Sequence, residues 1–195
     1  MRRSDYISMK EYTKNTKTIN RKFSLSEYDP SWVLKFESIK DLVSRVFGDK
    51  ALKIEHVGST AIQGMRAKPL IDILVVVEKL EPFEKEKELM IEAGYEWRYY
   101  PEPDEGLVFS KFGLDGEKLE HIHICEESSS WVRKFIVVRD YLRTHPKKAK
   151  EYSELKQKNI ELHPDDYPAY RNAKTPFLER LKEEADKWEK NKKLN

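Results

Sequence analysis

The sequence predicts an α+β domain: a mixed β-sheet with flanking helices and a helical C-terminal segment. Three observations lead there. In "EYDPSWVLKFESIKDLVSRVF" apolar residues recur at helical spacing, "LKIEHV" and "LIDILVVV" read as strands on either side of a Gly-Ser turn, and short β-like runs then give way to a tail of helical periodicity.

The elements follow in order. Asp29 is placed to cap a helix that opens at Pro30. Trp32, Phe36, Ile39, Val43 and Val46 form its apolar stripe. The strand "LKIEHV" leads into the turn Gly58–Ser59–Thr60, then a short helix or loop, then the strand Leu70–Val77. Pro82 is suited to opening "PFEKEKELMIEAG", with Gly94 after its last turn. "YEWRYY", "LVFSKF" and "KLEHIHIC" read as strands, and Asp115–Gly116 between the last two signals a hairpin. The remainder is helical, broken at Pro146 and between Pro164 and Pro168, and Phe177, Leu181, Ala185 and Trp188 share a face of the last helix.

Residues 1–22, with seven Lys/Arg and two acids, read as a mobile basic arm, and residues 23–195 as one domain. With 37 basic and 35 acidic residues the net charge is +2, too balanced to indicate nucleic acid, which remains a role open only to the arm. A single cysteine, Cys125, excludes an internal disulfide and suits a cytoplasmic protein. No apolar run approaches the roughly 18 residues of a membrane span, and no signal segment opens the chain.

One residue breaks the pattern. Strand alternation puts Leu70, Asp72, Leu74 and Val76 on one face, and Ile71, Ile73, Val75 and Val77 on the other. A carboxylate in such a strand is costly unless paired. Lys68 or Arg66 would serve as a structural partner. Alternatively, Asp72 faces a cleft and holds a divalent metal. The Gly58–Ser59 turn favours the second option, because backbone N–H groups and a hydroxyl after a strand can grip a phosphate. His121 and His123 alternate with Ile122 and Ile124, so both imidazoles point to one strand face, where they can ligate metal or move protons. His56, two residues before Gly58, reads as a support for the turn. Lys68 can reach phosphate or pair with Asp72. Arg139 and Arg143, at i and i+4, suit a phosphate, although Asp140 can absorb them.

"YDPSW", "IEHVGSTAIQGMRAKPLIDI", "HIHI", "FIVVRDYLRTHPKKAKEYSELK" and "YPAYRNAKTPFL" resemble the GrpB (glutamate-rich protein B) family, in that family's order, over about residues 23–185. That family resembles the nucleotidyltransferases of polymerase-β type. The resemblance implies a nucleotidyltransferase-like sheet, in which a Gly-Ser turn holds the nucleotide's β- and γ-phosphates and an Asp-x-Asp or Asp-x-Glu strand holds two metals. Gly58 and Ser59 match the turn and Asp72 the first carboxylate; Leu74 stands where the second should be. His121 and His123 lie on the best candidate for the later strand that carries the third ligand.

Three functions follow. The first is a nucleotidyltransferase dependent on Mg²⁺ or Mn²⁺, moving a nucleoside monophosphate from a nucleoside triphosphate to an acceptor that the sequence does not identify. Here Asp72 and His123 would be catalytic, Asp72, His121 and His123 the metal ligands, and Gly58, Ser59, Thr60, Lys68, Arg139 and Arg143 the phosphate contacts. The second is a non-catalytic binder of a nucleotide or another phosphorylated small molecule, favoured by Leu74. The third is a histidine-based phosphohydrolase, weakened because Cys125 interrupts the histidine alternation.

Overall fold

The computed structural model describes residues 24–80, 83–99 and 106–192. The basic arm and Pro82 lie outside them. Helix α1 spans Ser31–Phe47, and Asp29 caps it, its Oδ1 accepting from Ser31 N at 2.8 Å. Trp32, Phe36, Ile39 and Val43 are buried as the periodicity predicts, but Phe47 takes the last inward position and Val46 packs only partly. Strand β1 (Lys53–Val57) is followed by a 3₁₀ turn, Ser59–Ala61, and by β2 (Ile71–Val77). Helix α2 (Glu84–Glu92) ends where Gly94, at φ +88°, turns its N–H back to the Ile91 carbonyl.

Strands β3 (Glu96–Tyr99), β4 (Leu107–Phe112) and β5 (Lys118–Glu126) complete a five-stranded sheet in the order β1-β2-β5-β4-β3. The β4–β5 turn passes through Gly116 at φ +77°, as the Asp-Gly signal predicts. Four helices follow: α3 (Ser130–Thr144), α4 (Pro146–Leu162), α5 (Tyr167–Asn172) and α6 (Thr175–Lys192). The architecture is the mixed α+β sheet with a helical C-terminal segment that the sequence predicts. None of the described helices is long and apolar enough to cross a membrane.

Strand β2 runs antiparallel to β1 and parallel to β5. Its alternation sends Ile71, Ile73, Val75 and Val77 into a core with α1, while Leu74 and Val76 meet Val57 and Cys125 under α3. Asp72 shares this second face. A further cluster joins α3, α4 and α6 to Ile62 and Met65 just after the Gly-Ser turn. The helical segment is thereby held against the end of β1 and the start of β2.

Candidate functional site

The site grows out of the β2–β5 register. Asp72 pairs with His121, and Leu74 with His123. Because the strands are parallel and the pairs are two residues apart, Asp72 and both imidazoles project from one face. Their ligand atoms all lie within 4.8 Å of one another. His121 Nδ1 stands 3.4 Å from Asp72 Oδ1. The two imidazole centroids are 4.1 Å apart, and His123 leans on Phe135 of α3 at 4.7 Å.

Burial works against the ionised form of Asp72, but the His121 contact and nearby Lys68 outweigh it and hold the carboxyl below its ordinary range. Burial lowers His121 despite the opposing pull of Asp72, and pushes His123 down to about 3. Both imidazoles are therefore neutral at pH 7. A neutral His121 that turns Nδ1–H toward Asp72 leaves a lone pair on Nε2. That Nε2 is fully buried and has no hydrogen-bond partner among the described residues. An orphaned imidazole nitrogen beside an anionic carboxylate and a second neutral imidazole fits a divalent cation. Proton transfer near neutral pH, the other role open to His123, does not fit so low a pKa.

The turn is built around the carboxylate. Gly58 has φ +71°, and a Cβ placed on it would come within 2.5 Å of Asp72 Oδ2. Thr60 does not offer its hydroxyl to a ligand: Oγ1 donates to the Leu70 carbonyl at 3.0 Å and meets His56 Nε2 at 3.0 Å. His56, stacked on Phe36, thus supports the turn from behind, and burial takes it down to about 4.

Ser59 is met from α4. Lys156 Nζ donates to Ser59 Oγ at 3.1 Å and to the Arg66 carbonyl. Lys68 donates to Tyr167 OH at 2.9 Å, so it is not sealed against Asp72, and Arg66 pairs instead with Glu27. Lys68, Lys156 and Lys174 lie over the rings of Tyr167, Tyr152 and Tyr170 respectively. Burial first, then repulsion by Lys174 and Lys68, lowers Lys156 to about 7; burial and Lys68 lower Lys174 to about 8. Three ammonium groups close enough to repel one another beside a phosphate-type turn suit a polyanion.

The two arginines differ. Arg139 is buried and committed to Glu55 at 2.6 Å, Asp140 at 2.8 Å and the His56 carbonyl at 3.0 Å. Arg143 braces the turn through the Ala61 carbonyl at 3.0 Å. Arg139 holds the scaffold, Arg143 keeps a 43% exposed side chain beyond its Ala61 bond, and Lys156 and Lys174, absent from the sequence reading, add cations near the turn. Their signal is weak. Lys156 is one of five lysines on α4, and only contacts with distant chain mark it out.

The model of the GrpB protein family matches residues 22–184. The UPF0157 protein YqkA of Bacillus subtilis is 33% identical over 172 residues, which are 87% of this chain and 49% of that protein, so the chain spans about half its length. The glutamate-rich protein GrpB of Alkalihalophilus pseudofirmus is 38% identical over 160 residues, 80% of this chain and 92% of that one. The crystal structure of GrpB from Enterococcus faecalis superposes with a TM-score of 0.78 at 29% identity, covering 83% of this chain and 96% of the other. A weak likeness, TM-score 0.35 at 16% identity over 74% of this chain and 48% of the other, is to Cid1 in complex with a UTP analogue, too remote to bear on this site. With the family model matching residues 22–184 and a relative covered over 92% of its length, the chain belongs to the GrpB family.

Proposed function

We propose that the protein binds a nucleoside triphosphate together with one divalent metal and transfers its nucleoside monophosphate to an acceptor. One observation carries the reading: three metal-type ligand atoms of Asp72, His121 and His123 lie within 4.8 Å of one another, next to the Gly58–Ser59 turn. Asp72 brings the negative charge, and His121 and His123 bring neutral nitrogen donors. A bound metal would offset charge on the phosphates. Ser59 and the backbone N–H groups of its turn suit phosphate oxygens. Lys68, Lys156 and Lys174 stabilise what remains of the polyphosphate charge. Two imidazoles and one carboxylate suit Mn²⁺ better than Mg²⁺, which prefers oxygen donors.

The test is pyrophosphate release from each nucleoside triphosphate, with Mn²⁺ or Mg²⁺ and candidate acceptors, alongside thermal stabilisation by the same ligands. Mn²⁺-favoured release that Asp72→Asn and His123→Ala abolish is expected. Neither release nor stabilisation by any nucleotide would sink the reading.

Leu74 supports a second reading, in which the protein binds nucleotide without transferring it. It is fully buried and faces His123 across the register, where the resemblance calls for a second carboxylate. Stabilisation of about 2.7 kcal/mol at a hundred times Kd, without pyrophosphate release, would select it. The histidine-based hydrolase fares worse, since an imidazole held at about 3 is a poor proton carrier at neutral pH.

A further inference from the structure

Helix α4 presents one buried polar stripe: Tyr152, Ser153, Lys156 and Asn159. Lys156 fixes what this stripe faces, since its ammonium reaches the Ser59 hydroxyl. Ser153 and Asn159 lie three residues to either side of it, so both are its neighbours on the helix surface, about 4.5 Å along the axis in each direction. Asn159 is 4% exposed and Ser153 9%. Yet Asn159 Nδ2 and Ser153 Oγ are buried atoms without a hydrogen-bond partner. Among the described residues only four side-chain atoms are in that condition, and a third is His121 Nε2 of the metal-type cluster. Orphaned buried polar atoms cost stability, so two of them flanking Lys156 on one helix point to a missing partner rather than to packing.

We infer that Asn159 reads the nucleoside end of the bound nucleotide, its Nδ2 donating to a sugar or base oxygen, while Ser153 lies on the other side of Lys156. The inference rests on the nucleotide reading above and deepens it. The phosphates have cationic partners of their own in Lys68, Lys156 and Lys174, whereas an amide is a neutral group suited to neutral oxygens. Bonds of this kind discriminate strongly, because a ligand lacking the matching oxygen leaves the buried donor unpaired.

The experiment compares binding of nucleoside triphosphates and of inorganic tripolyphosphate, both with Mn²⁺, to wild type, Asn159→Ala and Asn159→Leu, and measures each variant's melting temperature without ligand. The expected result is about a ten-fold loss of nucleoside triphosphate affinity in the Asn159 variants, unchanged tripolyphosphate affinity, and melting temperatures equal to or above wild type. The paired readouts separate a ligand contact from a structural one, since a structural asparagine would lower the melting temperature and weaken both ligands together. Equal losses for both ligands, or no loss for either, would overturn the inference while leaving nucleotide binding intact. Wild type that binds tripolyphosphate as tightly as any nucleotide overturns it too. Failure of wild type to bind either compound overturns both this inference and the reading beneath it.

Discussion

Gly58 and Asp72 occupy what would otherwise be the same space: a Cβ on the glycine would lie 2.5 Å from Asp72 Oδ2 and 3.0 Å from its Cβ. Val57, the last residue of β1, pairs directly with Asp72, so the chain passes over the carboxylate as it leaves the sheet. The glycine also holds φ +71°, which residues with a side chain adopt at a cost. Gly58→Ala should therefore lose about 1–3 kcal/mol of stability and displace the carboxylate. Urea denaturation reads the first effect, and nucleotide-linked thermal shift with Mn²⁺ reads the second. An alanine variant matching wild type in both would show that the close approach has no consequence.

Asp72 supplies the only negative charge in the Asp72–His121–His123 cluster. In Asp72→Asn, the extra stabilisation that Mn²⁺ confers on the nucleotide complex should disappear, while stabilisation by metal-free nucleotide should persist through the lysines. Calorimetric titrations with and without metal give both numbers. An equal loss under the two conditions would assign Asp72 a structural role.

Leu74 tests the missing carboxylate from the other side. It is wholly buried and faces His123. Leu74→Asp should cost roughly 3–5 kcal/mol without metal, since it buries an unpaired charge. Saturating Mn²⁺ should recover part of that loss, because the new carboxylate would stand beside the existing ligands. If metal gives the variant no more stability than it gives wild type, position 74 does not face the metal.

Much of this was legible in the sequence. Asp72 stood out because strand alternation is a local property, and a carboxylate within it violates a rule that two or three neighbours suffice to establish. The alternation of His121 and His123 was equally local, and it placed them on the right face. What alternation does not carry is the partner across space. Helical spacing put Arg139 and Arg143 on one face, but not the Glu55 carboxylate, 84 residues away, that holds Arg139. Thr60 looked like part of the phosphate grip, yet the Leu70 carbonyl and His56 claim its hydroxyl once the turn closes. Helix α4 is charged around most of its circumference, so no stripe in its sequence distinguishes Lys156 from Lys147, Lys150 or Lys158.

The buried histidines make acid costly. His56 is lowered to about 4 and His123 to about 3, both chiefly by burial. Between these values and the ordinary histidine pKa near 6.5, the unfolded chain binds protons that the folded chain does not, so stability falls as pH drops through that window. Urea midpoints measured from pH 6.5 to pH 4 should decline, and His56→Phe, stacked on Phe36 in place of the imidazole, should flatten part of the decline. A slope unchanged by the substitution would mean that His56 is protonated without cost in the folded protein.

Lys156 should produce the opposite end of the profile. Burial, then the charges of Lys174 and Lys68, take it down to about 7, while the unfolded chain titrates near 10.5. The groups that face it include the Ser59 hydroxyl, the Arg66 carbonyl, the Tyr152 ring and the two lysines. From about pH 7 upward the unfolded state holds a proton that the folded state has released, so the stability of the ligand-free protein rises with pH. The destabilisation is complete below pH 7 and is relieved as pH climbs toward 10.5. Lys174, lowered to about 8, acts in the same direction over the upper part of that range. Lys156→Met keeps the length and apolar contacts of the stem but removes the charge, so the variant should exceed wild type in urea midpoint at pH 7 and lose that advantage progressively as pH climbs toward 10.5. Polyphosphate reverses the balance, because an anion beside Ser59 favours the ammonium form. Wild type should therefore take up protons on binding tripolyphosphate at pH 8, visible as a dependence of the calorimetric enthalpy on the buffer's ionisation heat. The Lys156→Met variant should bind more weakly and take up fewer protons. If wild type binds tripolyphosphate with no proton uptake between pH 7 and pH 9, Lys156 is already charged in the empty site, and its ammonium is stabilised there by something other than a ligand.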